Sequence, residues 1–217
     1  TSSNDVRVTQ GTVNFPSGVL AIGGALTDAG GTFVGGVGTT LFYSSVAELL
    51  TAGGSSFGNI EFDGSGSWSF SDTNVTAAGD LVVDQGTLAM PSGTFSVGGS
   101  YDNNSTVTAG TGTVEFDSVD TGETVAFGNS ALYNVVFDST TGGWTLTEPA
   151  TSTNNFSLTN ASNWTLDSGQ VLSVGGVFTN SVGGASTTWT GSTLALESGD
   201  YSINTKTDNG DAYDTLD

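Results

Sequence analysis

Carboxylates are the only side chains in this sequence that are numerous enough for acid–base or metal chemistry. The 217 residues include 22 Asp and Glu but two Lys or Arg, no His and no Cys. This composition excludes His-based triads, thiolate nucleophiles and Cys or His zinc sites. A glycosidase needs only two carboxylates, and acidic pairs occur at Glu61/Asp63 and Glu115/Asp117. A spacing of two places both acids on one outer strand face. We therefore predict no catalytic residues and no enzyme.

Calcium is the metal ion that carboxylate and carbonyl oxygens favour. The densest acidic loop contains Asp208, Asp211 and Asp214, which are the best metal candidates, and the segment 102–104 (Asp-Asn-Asn) comes next. Neither has the spacing of an EF-hand or of a calcium-binding nonapeptide repeat. Solvated turns are the preferred interpretation of both loops, so we expect no cofactor, with calcium kept as the alternative.

The charge balance restricts the partners of the chain. A net charge of −20, with Arg7 and Lys206 as the only cations, repels nucleic acid and anionic membranes. No apolar run approaches the roughly 20 residues of a membrane span. Hydrophobic residues still make up 35% of the chain and include 12 Phe. We therefore predict an acidic folded protein with no nucleic-acid partner and no membrane insertion within this chain.

Apolar residues alternate with small polar ones in short runs throughout the chain. Val13/Phe15, Trp68/Phe70 and Val114/Phe116 are examples, and Gly-rich turns separate the runs. This period of two predicts short strands with one buried face. Residues 45–53 fit a helix as well, but the matching segment ETVAFGNS at 123–130 alternates, so we favour strands in both. The four tryptophans are predicted to lie in the core.

The chain repeats itself with an offset of about 75 residues. GTVNFPSGVLAIGG at 11–24 returns as GTLAMPSGTFSVGG at 86–99, and WTLDSGQVLSVGG at 164–176 is a partial third copy. We divide the chain into repeats at 11–85, 86–163 and 164–217, the last incomplete. Residues 1–10 precede the first repeat and are a candidate exchanged or capping strand. The incomplete third copy predicts that the chain is a segment of a longer protein or a building block.

Two all-β architectures accommodate these strands, a parallel β-helix (β-solenoid) and a β-sandwich. The solenoid is favoured because stacked coils explain the internal repeat, whereas a sandwich does not require one. Coils of 20–25 residues would make a single elongated domain of about nine coils. The general bias of β-crossovers predicts a right-handed coil.

The segments 108–146 and 172–184, with their Gly/Thr/Asn-rich cadence, resemble the parallel β-helix regions of giant bacterial and archaeal cell-surface proteins of the adhesin type. The resemblance implies an extracellular structural protein, a rigid stalk or adhesin segment without catalytic activity. Two alternatives stay open. One is a filament or sheath subunit that polymerises through open strand edges, and the other is a carbohydrate-binding module with exposed tryptophans. The expected partners are accordingly other copies of the chain or cell-surface glycans.

Overall fold

The computed structural model describes residues 5–197, 202–203, 213 and 215–216, and all regular elements in these ranges are β-strands. The described residues contain no helix that could span a membrane. The strands are β1 Val6–Val8, β2 Thr12–Asn14, β3 Val19–Ile22, β4 Leu26–Asp28, β5 Thr32–Val34, β6 Thr39–Phe42, β7 Ala47–Leu50, β8 Asn59–Phe62, β9 Ser67–Phe70, β10 Val75–Ala77, β11 Leu81–Val83, β12 Thr87–Ala89, β13 Thr94–Val97, β14 Tyr101–Asn103, β15 Thr106–Thr108, β16 Thr113–Phe116, β17 Glu123–Ala126, β18 Asn134–Asp138, β19 Gly143–Leu146, β20 Ala150–Ser152, β21 Phe156–Asn160, β22 Asn163–Leu166, β23 Val171–Val174, β24 Phe178–Asn180, β25 Thr187–Thr188, β26 Thr193–Leu196, β27 Ser202–Ile203 and β28 Thr215–Leu216.

These strands form three faces around one interior, and all the strand pairings are parallel. We number the faces in the order in which the chain visits them. Face 1 contains β1, β4, β7, β9, β12, β15, β20, β23, β26 and β28. Face 2 contains β2, β5, β10, β13, β16, β18, β21, β24 and β27, and face 3 is an uninterrupted sheet of β3, β6, β8, β11, β14, β17, β19, β22 and β25.

Each turn visits the three faces once and takes 19 to 24 residues. Phe95 pairs with Val114 in one of the shortest turns, and Tyr101 pairs with Val125 in one of the longest. The stack has about ten turns, which at about 4.8 Å per strand makes a height of roughly 45 Å. The predicted β-solenoid is therefore confirmed over the sandwich, with about one turn more than expected. Its right-handed sense stays a prediction.

The alternation of the sequence becomes the division between interior and surface. In β13, Phe95 and Val97 are fully buried, while Thr94 and Ser96 face outward. The same pattern recurs in β16, where Val114 and Phe116 point inward. Because parallel strands pair in register, inward residues of successive turns stack into continuous apolar rows.

Aromatic rings fill much of the interior. Phe116 stacks on Phe137 of the next turn with ring centroids 4.7 Å apart, and Phe137 contacts the ring of Trp144 at 5.2 Å. All four tryptophans are at most 2% exposed, which confirms the prediction that they belong to the core. Their indole nitrogens and the Tyr101 hydroxyl have no hydrogen-bond partner among the described residues.

The ambiguous segment 45–53 forms a strand, as favoured from its match with the second repeat. Strand β7 pairs with β9, with Leu50 opposite Phe70. The segment ends in a turn at Gly53, whose φ of 61° lies in the left-handed region that glycine adopts without strain. Tertiary pairing therefore overrides the helical capping signal, because Leu50 reaches the core only from a strand in this register.

The 75-residue echo of the sequence does not coincide with whole turns. Trp68 lies on face 1, whereas its counterpart Trp144 lies on face 3. Asn59 lies on face 3 and its counterpart Asn134 on face 2. The echo thus spans three full turns and two further faces, so that each copy is displaced by one face from the copy before it.

Corners between faces are held by short contacts from one turn to the next. The Oδ1 atom of Asn74 accepts a hydrogen bond from the backbone N–H of Thr94 at 2.8 Å. Gly112 lies against the carbonyl oxygen of Pro91, and a Cβ atom at this position would overlap it. Gly38 lies in the same way against the carbonyl oxygen of Pro16. The repeated Pro-Ser-Gly motif and the Gly-Thr motif that follows it are therefore one packing unit.

Candidate functional site

The two carboxylate pairs lie on different faces. Glu61 points outward from β8 on face 3, and Asp63 follows that strand and accepts a hydrogen bond from Gln85 Nε2 at 2.7 Å. Glu115 points outward from β16 on face 2 and lies 3.5 Å from the Ser96 hydroxyl. The pairs therefore do not face each other across one cleft.

Crowding of like charges affects both pairs. Partial burial, and then the nearby carboxylates of Asp84 and Asp63, raise the pKa of Glu61. Burial is also the largest cause that raises the pKa of Glu115, followed by Asp117 and Asp138. No cation lies on the outer strands beside them, because Arg7 is the one cation within residues 5–197 and belongs to the first turn.

The predicted calcium ligands do not form a site in the described part of the chain. Asp208, Asp211 and Asp214 lie outside the described residues. In the second loop, Asp102 faces outward, but Asn103 points inward, is 2% exposed and donates its amide to the carbonyl of Phe127 at 2.8 Å. Asn104 donates to Asp102 at 3.2 Å and to Asp84 at 3.0 Å. Within the described residues, no three acidic side chains are arranged to hold a metal ion.

The outer side of face 1 differs from the other two faces by its lack of charge. From β4 to β26, the outward positions of its strands carry Thr, Ser and Ala together with two larger apolar residues, Leu49 and Val171. Both of these are exposed. The acidic side chains are therefore concentrated on faces 2 and 3 and at the corners.

The ladder of strands is broken at two places, where one turn lacks a strand. We call residues 52–58, which interrupt face 2, the first break, and residues 127–133, which interrupt face 1, the second break. A serine compensates for the missing strand at each. Ser55 Oγ accepts the N–H of Phe33 at 3.1 Å, and Ser130 Oγ accepts the N–H of Val107 at 2.9 Å. The breaks are the same part of the sequence repeat on neighbouring faces.

Each break opens a cavity. The cavity at the second break has a volume of about 440 Å³ and a polar lining, which consists of Asn103, Asn104, Gly128, Asn129, Glu148, Pro149 and Gln170. The cavity at the first break has about 390 Å³ and a lining of small and apolar residues, which consists of Thr32, Phe33, Val34, Gly35, Gly36, Gly54, Ser55, Ser56, Phe57 and Ala78.

The polar groove of the second break is the candidate that reasoning from the sequence missed. Its residues come from four successive turns, and their side chains meet only in the folded stack. The available signal was Gly128-Asn129, which interrupts the alternation of ETVAFGNS; Gly128 has a φ of 59°. No such signal marks Glu148 or Gln170.

The first turn of the stack leaves one side of its strands unpaired within the described residues. Strands β1, β2 and β3 pair with β4, β5 and β6 on one side only. Val13 shares an inward row with Phe33 but is 42% exposed. The apolar interior therefore reaches solvent at this end. Residues 6–8, within the segment expected to be exchanged or to cap, form β1 against the same chain.

Comparisons with known proteins found no matching family model, no matching curated protein and no matching solved structure.

Proposed function

We propose that this chain is a structural protein of the cell exterior, a rigid stalk or adhesin segment without catalytic activity. The observation that carries the proposal is the continuity of the stack. Face 3 runs through nine strands without interruption, and the interior rows run alongside it. Such a ladder couples each turn to its neighbours through backbone hydrogen bonds and stacked side chains, which makes a stiff spacer.

The surface chemistry supports an exposed position. Low charge density, many outward Thr, Ser and Asn side chains and an absence of Cys suit a protein that works outside the reducing cytosol without disulfides. Corner bonds such as that of Asn74 to the next turn leave few loose segments for proteases. The Gly/Thr/Asn-rich cadence of segments 108–146 and 172–184 points to the same class of protein.

Stiffness is directly measurable because the chain has no Cys. Spin labels on T27C and T151C would both face outward on face 1, six turns apart, or about 29 Å between backbones. Pulsed electron paramagnetic resonance should give one narrow distance distribution. The pair T27C/A195C, eight turns apart, should lengthen the mean by about 10 Å. A broad distribution for either pair, or equal means, would contradict a rigid rod.

The open first turn supports an alternative function, assembly of copies end to end. Unpaired strand edges accept further strands, and the exposed row at Val13 offers apolar area to a second copy. Light scattering during size-exclusion chromatography at increasing concentration should then show growing oligomers.

Two matched variants distinguish assembly through this end from nonspecific association. V13D places a charge on the inward row and should abolish growth, whereas T12D, which faces outward on the same strand, should leave it unchanged. A monomer at all concentrations, or equal effects of both variants, would refute the alternative.

The third candidate, a carbohydrate-binding module that stacks sugars on exposed tryptophans, lacks its required feature. Trp68, Trp144, Trp164 and Trp189 are buried. Glycans stay among the proposed partners only through polar contacts.

A further inference from the structure

The second break is the place where side chains with unused hydrogen-bonding capacity converge. Asn129 and Gln170 make no side-chain hydrogen bond within the described part of the chain, yet both line the groove. Each amide offers two donors and an acceptor. A groove of about 440 Å³ lies within the range of sites for small molecules.

The walls around these amides are held in place. Glu148 accepts a hydrogen bond from the backbone N–H of Gly128 at 3.2 Å through one oxygen, Oε2. Asn103 is fixed from both ends, because it donates to Phe127 and accepts from the N–H of Ser105 at 3.1 Å. Little ordering would therefore accompany binding, which favours affinity.

The first break shows that the amides are not needed to interrupt the ladder. It has the same turn and the same serine contact, but Gly54 stands where the second break has Asn129. No Asn, Gln, Asp or Glu lines its cavity. The amide and carboxylate lining is therefore an addition to a shared structural feature.

Charge narrows the class of ligand. Glu148 lies in the groove, Asp84 and Asp102 contact its rim residue Asn104, and Arg7 is several turns away. Anions are repelled by this arrangement. Adjacent hydroxyl groups, which both donate and accept, match paired amides and a carboxylate, and the ring of Pro149 offers an apolar contact.

We propose that the groove of the second break binds a neutral carbohydrate through Asn129, Gln170 and Glu148. This site goes beyond the stalk function and does not depend on it, since the spin-label distances and glycan binding are measured independently.

The test is titration of the ¹⁵N-labelled full chain with cellobiose, lactose and diacetylchitobiose at millimolar concentrations. Backbone amide shifts should change at Gly128, Asn129, Glu148 and Gln170 with at least one of these sugars. N129A and Q170A should each weaken the binding about tenfold. N14A, an exposed amide on β2 with no printed role in the groove region, should bind as the parent does.

Several results would overturn the proposal. They are an absence of shifts with all three sugars, shifts that persist unchanged in both groove variants, and tighter binding of an anionic disaccharide such as digalacturonate. A response of Glu148 to Ca²⁺ together with no response to sugars would identify a cation site instead.

Discussion

Replacing Tyr101 by Phe should stabilise the protein. Tyr101 is 1% exposed, and its hydroxyl has no hydrogen-bond partner among the described residues. The ring itself is well placed, with Phe116 at 6.1 Å and Phe127 at 6.2 Å between centroids. Y101F therefore removes a buried, unsatisfied polar group and retains the aromatic packing.

The size of the effect follows from two opposing contributions. Leaving a hydroxyl buried without a partner costs about 1–3 kcal/mol, and loss of the oxygen's packing contacts costs a few tenths of a kcal/mol. We expect the free energy of unfolding to increase by about 1 kcal/mol or more. The matched control is Y43F, because Tyr43 is 42% exposed and its hydroxyl is available to water, so no change is expected.

Urea unfolding followed by tryptophan fluorescence measures both variants, and the midpoint compares them at unchanged slope. Burial, and then the charge of Asp102, raise the pKa of Tyr101. Its phenol should therefore stay protonated at alkaline pH values at which exposed tyrosines ionise. Destabilisation of Y101F by about 1 kcal/mol or more would refute the reasoning, since it would mean that the hydroxyl forms a hydrogen bond.

Three further predictions concern the corners and the acidic faces. G112A should destabilise the protein by about 1–3 kcal/mol in urea unfolding because its Cβ meets a carbonyl oxygen, whereas G18A, with open space, should be neutral; equal effects would contradict this packing. N74A should cost about 1 kcal/mol in thermal unfolding, and N74D, which keeps the acceptor, should restore most of it. The raised pKa values of Glu61 and Glu115 mean that the folded state binds more protons than the unfolded chain just above pH 4.5. Stability should therefore rise as the pH falls from neutral towards that value, and a double Glu-to-Gln variant at these positions should show a smaller rise.

The sequence was sufficient for the fold class because alternation is a local property. Each strand reports its own inward and outward residues, as β13 does with Phe95 and Val97. The same pattern, compared between repeats, predicted the strand over residues 47–50 and the burial of the tryptophans. These features depend on the period of two and on apolar burial, which need no knowledge of distant contacts.

The face to which each strand belongs was decided only by the tertiary structure. Turn lengths vary between 19 and 24 residues, and the corners accumulate along the chain, so Trp68 and Trp144 occupy different faces despite their matching sequence contexts. The three faces impose the same requirement on a strand, apolar inward and polar outward. A repeated strand and turn can therefore serve any of them.

The groove shows the same limit for the candidate site. The sequence placed its strongest acidic candidates in loops at 102–104 and 208–214, while the structure brings Asn129, Glu148 and Gln170 together from separate turns. Their proximity depends on stacking at about 4.8 Å between turns, and their availability depends on a missing strand on face 1. Composition and local alternation determined that this chain is a charged-poor β-solenoid with an aromatic interior. The register between turns decided which polar side chains meet, because that register is set by backbone hydrogen bonds between residues about 20 positions apart.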